Sequence, residues 1–145
     1  MTRQEIINKL RMLNVAPSVY VPIDELAQKW TGRAELLVVA AFQILGTIRE
    51  KIQDVELRTR CNGVSGYGRS RANGRFRECF HVGINVRPSA MILCRHGEAP
   101  DPKKLFKIVP PNGKYVYCYL LEAELNQLQY AAAGLIQSYR NIIGH

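Results

Sequence analysis

Residues 57–78 read LRTRCNGVSGYGRSRANGRFRE. Six arginines fall here, Arg58, Arg60, Arg69, Arg71, Arg75 and Arg77, and no acid lies between Glu56 and Glu78. Gly63, Gly66, Gly68 and Gly74 are interleaved with Asn62, Ser65, Ser70 and Asn73, and with the rings of Tyr67 and Phe76. Such a segment buries little and repels itself, so the expectation is a basic loop that gains little from folding alone. A polyanion is its natural stabiliser. Arginine forks pair with phosphate bidentately, and glycines let backbone N–H groups approach phosphate oxygens. Tyr67 or Phe76 can stack on a base. The expected phosphate or nucleic-acid site is therefore the six arginines with Tyr67, Ser65, Gly66 and Gly68. The bland alternative is a solvated, flexible basic loop.

The charge balance supports that emphasis. Of a net charge of +8, residues 55–100 hold +5, from eight arginines against three acids. A concentrated patch of this kind fits nucleic acid, an anionic nucleotide or an acidic protein. At 145 residues and 47% hydrophobic, the chain has the means for one real core. It reads as a single domain over 1–145, with a helical part (1–54), the basic loop (55–78), and a sheet with a C-terminal helix (79–145).

On the N-terminal side, Thr2 with Glu5 forms a capping box. Ile6, Ile7, Leu10 and Leu13 follow at helical spacing, which predicts a helix over 3–13. Pro17 and Pro22 bracket an extended link, and a second short helix carries Ile23, Leu26, Ala27 and Trp30 until Thr31-Gly32 ends it. A third helix, 34–53, is apolar almost all round at its start and one-sided later, a pattern of core or oligomer interface. Gly46 in it allows a close neighbour.

On the C-terminal side the pattern changes to strands. Residues 79–86 and 90–94 are split by the turn signal Arg87-Pro88-Ser89. Residues 105–109 and 114–121 flank Pro110-Pro111-Asn112-Gly113, a hairpin signature. Tyr115, Tyr117 and Tyr119 alternate with Val116, Cys118 and Leu120, giving one aromatic and one aliphatic face. The tyrosines are expected to pack under the last helix. The other possibility is a stacking platform for bases. In the last helix, 122–143, Leu121, Leu125, Leu128, Ala132, Leu135, Tyr139 and Ile142 make a heptad seam that packs on a sheet or a neighbouring helix. The fold class is α+β: N-terminal helices, a basic Arg/Gly loop, a small four-stranded antiparallel sheet with a hairpin, and a C-terminal helix.

Chemistry-bearing groups are sparse. Cys61, Cys79, His81, Cys94 and His96 lack the paired spacing of a zinc site, so no metal is expected. A nucleophile–base pair can be drawn from Cys94 and His96 or from Ser65 and His81, without a supporting motif. The expectation is a non-enzyme without cofactor. A hydrolase or nuclease using His81 or His96 is the weaker possibility. Arg87, Arg95, Lys103, Lys104, Lys107 and Lys114 could extend the basic surface. The start, MTRQEIINKLRML, has no apolar core followed by a small-residue cleavage site. No apolar run is long enough for a bilayer. With widely spaced cysteines this predicts an intracellular, reducing setting, organellar matrix and cytoplasm being undistinguished.

The runs Leu57-Arg58-Thr59-Arg60-Cys61, Ser65-Gly66-Tyr67-Gly68-Arg69-Ser70 and Arg75-Phe76-Arg77-Glu78, followed by Gly83, resemble the core of the small-subunit ribosomal protein 14 family, especially its divergent organellar members. That family shows an Arg-x-Arg-Cys start, a Thr/Ser-Gly-x-x-Arg turn and a Phe-Arg-Glu followed shortly by glycine. Gly32-Arg33-Ala34-Glu35-Leu36 looks like its helical Arg-Ala-Glu-Leu segment. The resemblance implies a structural ribosomal component whose six arginines contact rRNA, with ribosomal proteins as neighbours. The other reading, from the residues alone, is a small oligomeric module that captures an anionic nucleotide-like ligand or an acidic protein, as an inhibitor or signal-binding protein. Helices 34–53 and 122–142 would then be its oligomer surfaces.

Overall fold

In a computed structural model, which describes residues 1–96, 101–107 and 115–144, the chain is α+β. The Thr2 hydroxyl accepts from the Glu5 amide at 3.1 Å and the Glu5 carboxylate accepts from the Thr2 amide at 3.3 Å, starting α1 (Arg3–Met12). After α2 (Ile23–Thr31) comes α3 (Glu35–Lys51), whose Leu37, Ala41, Ile44, Leu45 and Ile48 are buried. The first residues of α3 are less enclosed than an all-round apolar pattern implies, since Leu36 and Val39 are exposed. Among the described residues, no neighbouring element comes within 4 Å of the place a Gly46 side chain would take, so this glycine serves no close approach within the chain. Arg49 fastens the end of α3, donating to the carbonyls of Leu13 and Val55 at 2.9 and 2.8 Å.

Among the described residues, five antiparallel strands follow as a meander in the order β1 to β5: β1 (Glu56–Arg60), β2 (Gly63–Arg69), β3 (Phe76–Asn85), β4 (Ala90–His96) and β5 (Tyr115–Leu120). This corrects the reading of residues 57–78 as a loop. Leu57 and Thr59 alternate with Arg58 and Arg60, and Val64 pairs with Thr59 and Val82, so β1 and β2 carry a buried face of their own. The burial of Leu57, Thr59 and Val64 outweighs arginine repulsion, because the arginines alternate to the other face or sit in the 70–75 turn. Cys61 and Asn62 make a two-residue connection, Cys61 at φ 52°. The sheet edge at β1 is joined by the link after α1: the Ala16 amide donates to Leu57 O and the Thr59 amide to Ala16 O.

Two further expectations shift. Residues 105–107 are not a strand, although the Lys107 amide donates to Tyr117 O at 3.1 Å. The hairpin at 110–113 and Lys114 lie outside the described residues. The last helix is α4 (Leu128–Ile143), preceded by a 3₁₀ turn (Glu122–Gln127). Its heptad residues Ala132, Leu135, Tyr139 and Ile142 are buried, whereas Leu121 is exposed. Helices α3 and α4 pack together and against the sheet. The face they cover carries Leu57, Val64, Phe80, Val82, Ile84, Met91, Leu93, Cys118 and Leu120. The tyrosines of β5 therefore do not lie under α4. Met91 and Leu93 pair with Leu120 and Cys118, so the aliphatic side of β5 completes the core and the aromatic side turns away. Among the described residues no helix is long and apolar enough to cross a membrane.

Candidate nucleic-acid interface

The sheet face opposite α4 gathers several rings and arginines. Register puts Arg58, Ser65, His81, Cys94 and Tyr117 in one row across all five strands. Arg60, Gly63, Gly83, Ile92 and Tyr119 form the next. Toward the other end, Glu56, Tyr67 and Glu78 align, and His96 pairs with Tyr115. A bulge between Gly66 and Tyr67 shifts the β2–β3 register there.

The bulge brings Tyr67 and Phe76 into a parallel stack, centroids 5.4 Å apart and planes 10° apart. The Arg58 guanidinium sits 4.9 Å from the Phe76 centroid and 5.6 Å from that of Tyr67, and pairs with Glu56 at 3.1 Å. Phe76 is 39% exposed and Tyr119 38%, while Tyr67, Tyr115 and Tyr117 are half-buried. Burial pushes the hydroxyls of all three half-buried tyrosines upward, so they stay protonated donors at neutral pH.

Between these rings lies a polar network. Arg60 donates to both oxygens of Glu78, at 2.8 and 2.7 Å. Ser65, fully buried, donates to Glu78 Oε2 at 2.6 Å and lies 2.7 Å from His81 Nδ1. His81 Nε2 is 3.2 Å from Asn62 Oδ1, and Asn62 Nδ2 donates to Asn85 Oδ1 at 3.3 Å. A serine hydroxyl has one hydrogen. Once it is given to Glu78, the Nδ1 contact needs a hydrogen on the imidazole. Burial drives His81 down to about 4, partly opposed by Glu78, so the ring is neutral at pH 7; with its single hydrogen on Nδ1, the Nε2 contact to Asn62 Oδ1 carries no hydrogen bond. The Ser65–His81 pair is thus realised as cross-strand neighbours. Ser65 is fully buried, with its oxygen inaccessible to a substrate, while His81 keeps partial exposure. Cys94 and His96 stand on adjacent rows. Burial raises the Cys94 thiol to about 11, far from a nucleophilic thiolate.

The expected site residues are thus divided. Arg58 and Arg60 belong to the face, Arg60 already engaged. Arg69 and Arg75 are exposed at the 70–75 turn, where Arg69 donates to Gly74 O at 3.3 Å. Gly74, at φ +67°, takes a backbone conformation that favours glycine. The Arg71 amide donates to Ile142 O, and its guanidinium to Gly144 O at 3.5 Å, so Arg71 ties the turn to the end of α4. Gly66 is buried beneath the Phe80 ring, and Gly68 abuts Ile143 and Tyr139. These two glycines make room for side chains; they offer no phosphate cradle. Arg95 is not part of a second basic patch: it is 1% exposed, 4.8 Å over the Phe106 ring, and donates to Gly134 O. Lys103 lies over Tyr130, and Lys104, Lys107 and Arg87 are exposed.

Tyr115, Tyr117 and Tyr119 were expected under the last helix, and Glu78 and Asn62 carry much of this arrangement without having been expected as site residues. Asn62-Gly63 between alternating segments was a hairpin signal that would have placed them. Among the described residues, no three of His, Cys, Asp or Glu stand close enough to hold a metal ion. The described cysteines are free, Cys61 exposed and Cys79, Cys94 and Cys118 buried. The residues behind the ribosomal resemblance fall at the start of α3 and across β1, β2 and β3. No protein-family model matches the chain, and neither the curated proteins nor the solved structures gave a match.

Proposed function

We propose that this chain is a non-catalytic RNA-binding protein that receives single-stranded RNA on the open face of its sheet. One observation carries the reading: the face turned away from α3 and α4 bears Tyr67, Phe76, His96, Tyr115, Tyr117 and Tyr119 together with Arg58 and Arg60. A face left to water alone favours small polar and charged residues, whereas rings interleaved with arginines suit bases and phosphates. The exposed Arg69 and Arg75 extend the positive surface at its bulged end. In a narrower form, the protein is a structural component of a ribosomal small subunit. Support for that lies in residues 33–36 and 57–83 and their resemblance to the ribosomal protein 14 family.

The test is fluorescence anisotropy with labelled single-stranded RNA across a salt series. Phe76→Ala removes an exposed stacking ring and is expected to weaken binding by about fivefold to a hundredfold, the range for losing one base stack. Its thermal midpoint should stay close to the parent's. Unchanged affinity in Phe76→Ala and Tyr119→Ala, or no RNA binding at low salt, would overturn the reading.

A further inference from the structure

The bulged end of the open face combines a cleft, an aromatic stack and a carboxylate that has no ion-pair partner among the described residues. We infer that this cleft takes a guanine base of a bound RNA strand; the inference rests on the RNA-binding reading above.

The geometry comes from a mismatch in strand length. β1 begins at Glu56 opposite Tyr67, while β2 runs on through Gly68 to Arg69. The overhang leaves a notch of about 490 Å³, bounded by Asp54, Tyr67, Arg69, Phe76 and Tyr139. That volume is in the range of small-molecule clefts, roughly 300–1,000 Å³. The Tyr67–Phe76 stack supplies an aromatic wall, already backed by Arg58. Asp54 supplies the polar one. Burial and the nearby Asp54 carboxylate push the Tyr139 hydroxyl up to about 12, so it stays protonated, a potential donor beside Asp54. Glu56 is paired with Arg58, but among the described residues Asp54 has no ion-pair partner. A carboxylate accepts at about four positions, and one tyrosine leaves most of them open.

An unpaired carboxylate beside a stacking surface selects among bases by their donors. Guanine presents N1–H and N2–H side by side and can give both to one carboxylate. Adenine and cytosine each put a single amino donor beside a ring-nitrogen acceptor, and uracil sets N3–H between two carbonyls. Each of those edges points a lone pair at Asp54. Arg69 stands at the mouth of the notch, where the phosphate of a stacked nucleotide would pass.

The experiment uses the full chain and labelled ten-nucleotide uridine strands carrying one central guanosine, inosine or adenosine. The guanosine strand is expected to bind about tenfold tighter than the adenosine strand, the scale of one bidentate base contact. The inosine strand, which lacks N2–H, should fall between them. In Asp54→Asn the guanosine-to-adenosine ratio should drop to about one. The inosine comparison uses the unaltered protein and so stands whatever the variant does to folding. Equal binding of the three strands by the unaltered protein would overturn the guanine pocket and leave RNA binding intact. Failure to bind any strand would overturn both.

Discussion

His81 makes the protein's acid sensitivity calculable. Its neighbours are Ser65, Asn62 and Glu78, with Arg60 beyond Glu78 and Cys94 on the next strand. Its folded value of about 4 lies below the ordinary 6.5, so the unfolded chain takes up a proton that the folded chain refuses. Above pH 6.5 the ring is neutral in both states and has no effect. As pH falls from 6.5 to 4, stability drops at about 1.4 kcal/mol per unit, to a limit of ~3 kcal/mol. Between pH 7 and pH 5 the loss assigned to this residue is about 2 kcal/mol. His81→Gln keeps an amide to meet its partners and removes the titration. Urea unfolding of both proteins at pH 7 and pH 5 isolates the effect, since every other group titrates in both. The parent should lose about 2 kcal/mol more than the variant over that interval. Parallel curves, or a variant that loses more than the parent, would refute a ring held neutral by burial.

Other expectations follow from packing and charge. Gly66→Ala puts a methyl group into the Phe80 ring and should destabilise the fold by about 1–3 kcal/mol in urea unfolding; a neutral result would mean that the ring does not lie over Gly66. Arg69→Ala with Arg75→Ala leaves the core alone and should reduce the slope of log affinity against log salt by about 1.4, the value for two contacts to single-stranded RNA. An unchanged slope would remove the 70–75 turn from the interface.

The helices were readable because their signals are local. The Thr2–Glu5 box and the heptad of α4 act over three or four residues, and the structure keeps both. The hairpin of β1 and β2 was hidden by composition. Six arginines dominated the reading of 57–78, while its structure is decided by a few small or apolar residues at alternate positions: Leu57, Thr59, Val64 and Gly66. The tyrosine strand shows a second limit. Alternation in β5 defines two faces, but the pairing of Met91 with Leu120 and Leu93 with Cys118 decides which one meets α4. Ser65 and His81 could be named as a pair from their residue types alone. Their burial, and the roles of Glu78 and Asn62, depend on register and on the bulge at Gly66/Tyr67.

The link between α1 and α2 has a consequence for life in a crowded solution. Ala16 donates to and accepts from β1, and the Ser18 amide donates to the Thr59 hydroxyl at 2.9 Å. Between them stands Pro17, which has no N–H to offer. The segment therefore occupies the outer rim of the sheet without becoming a new rim itself. A growing stack of sheets needs an unbroken row of donors and acceptors at its end, and here the row stops at an imino acid. Five strands rich in arginine and tyrosine can thus leave one broad face open while that lateral edge is closed to copies of the same chain.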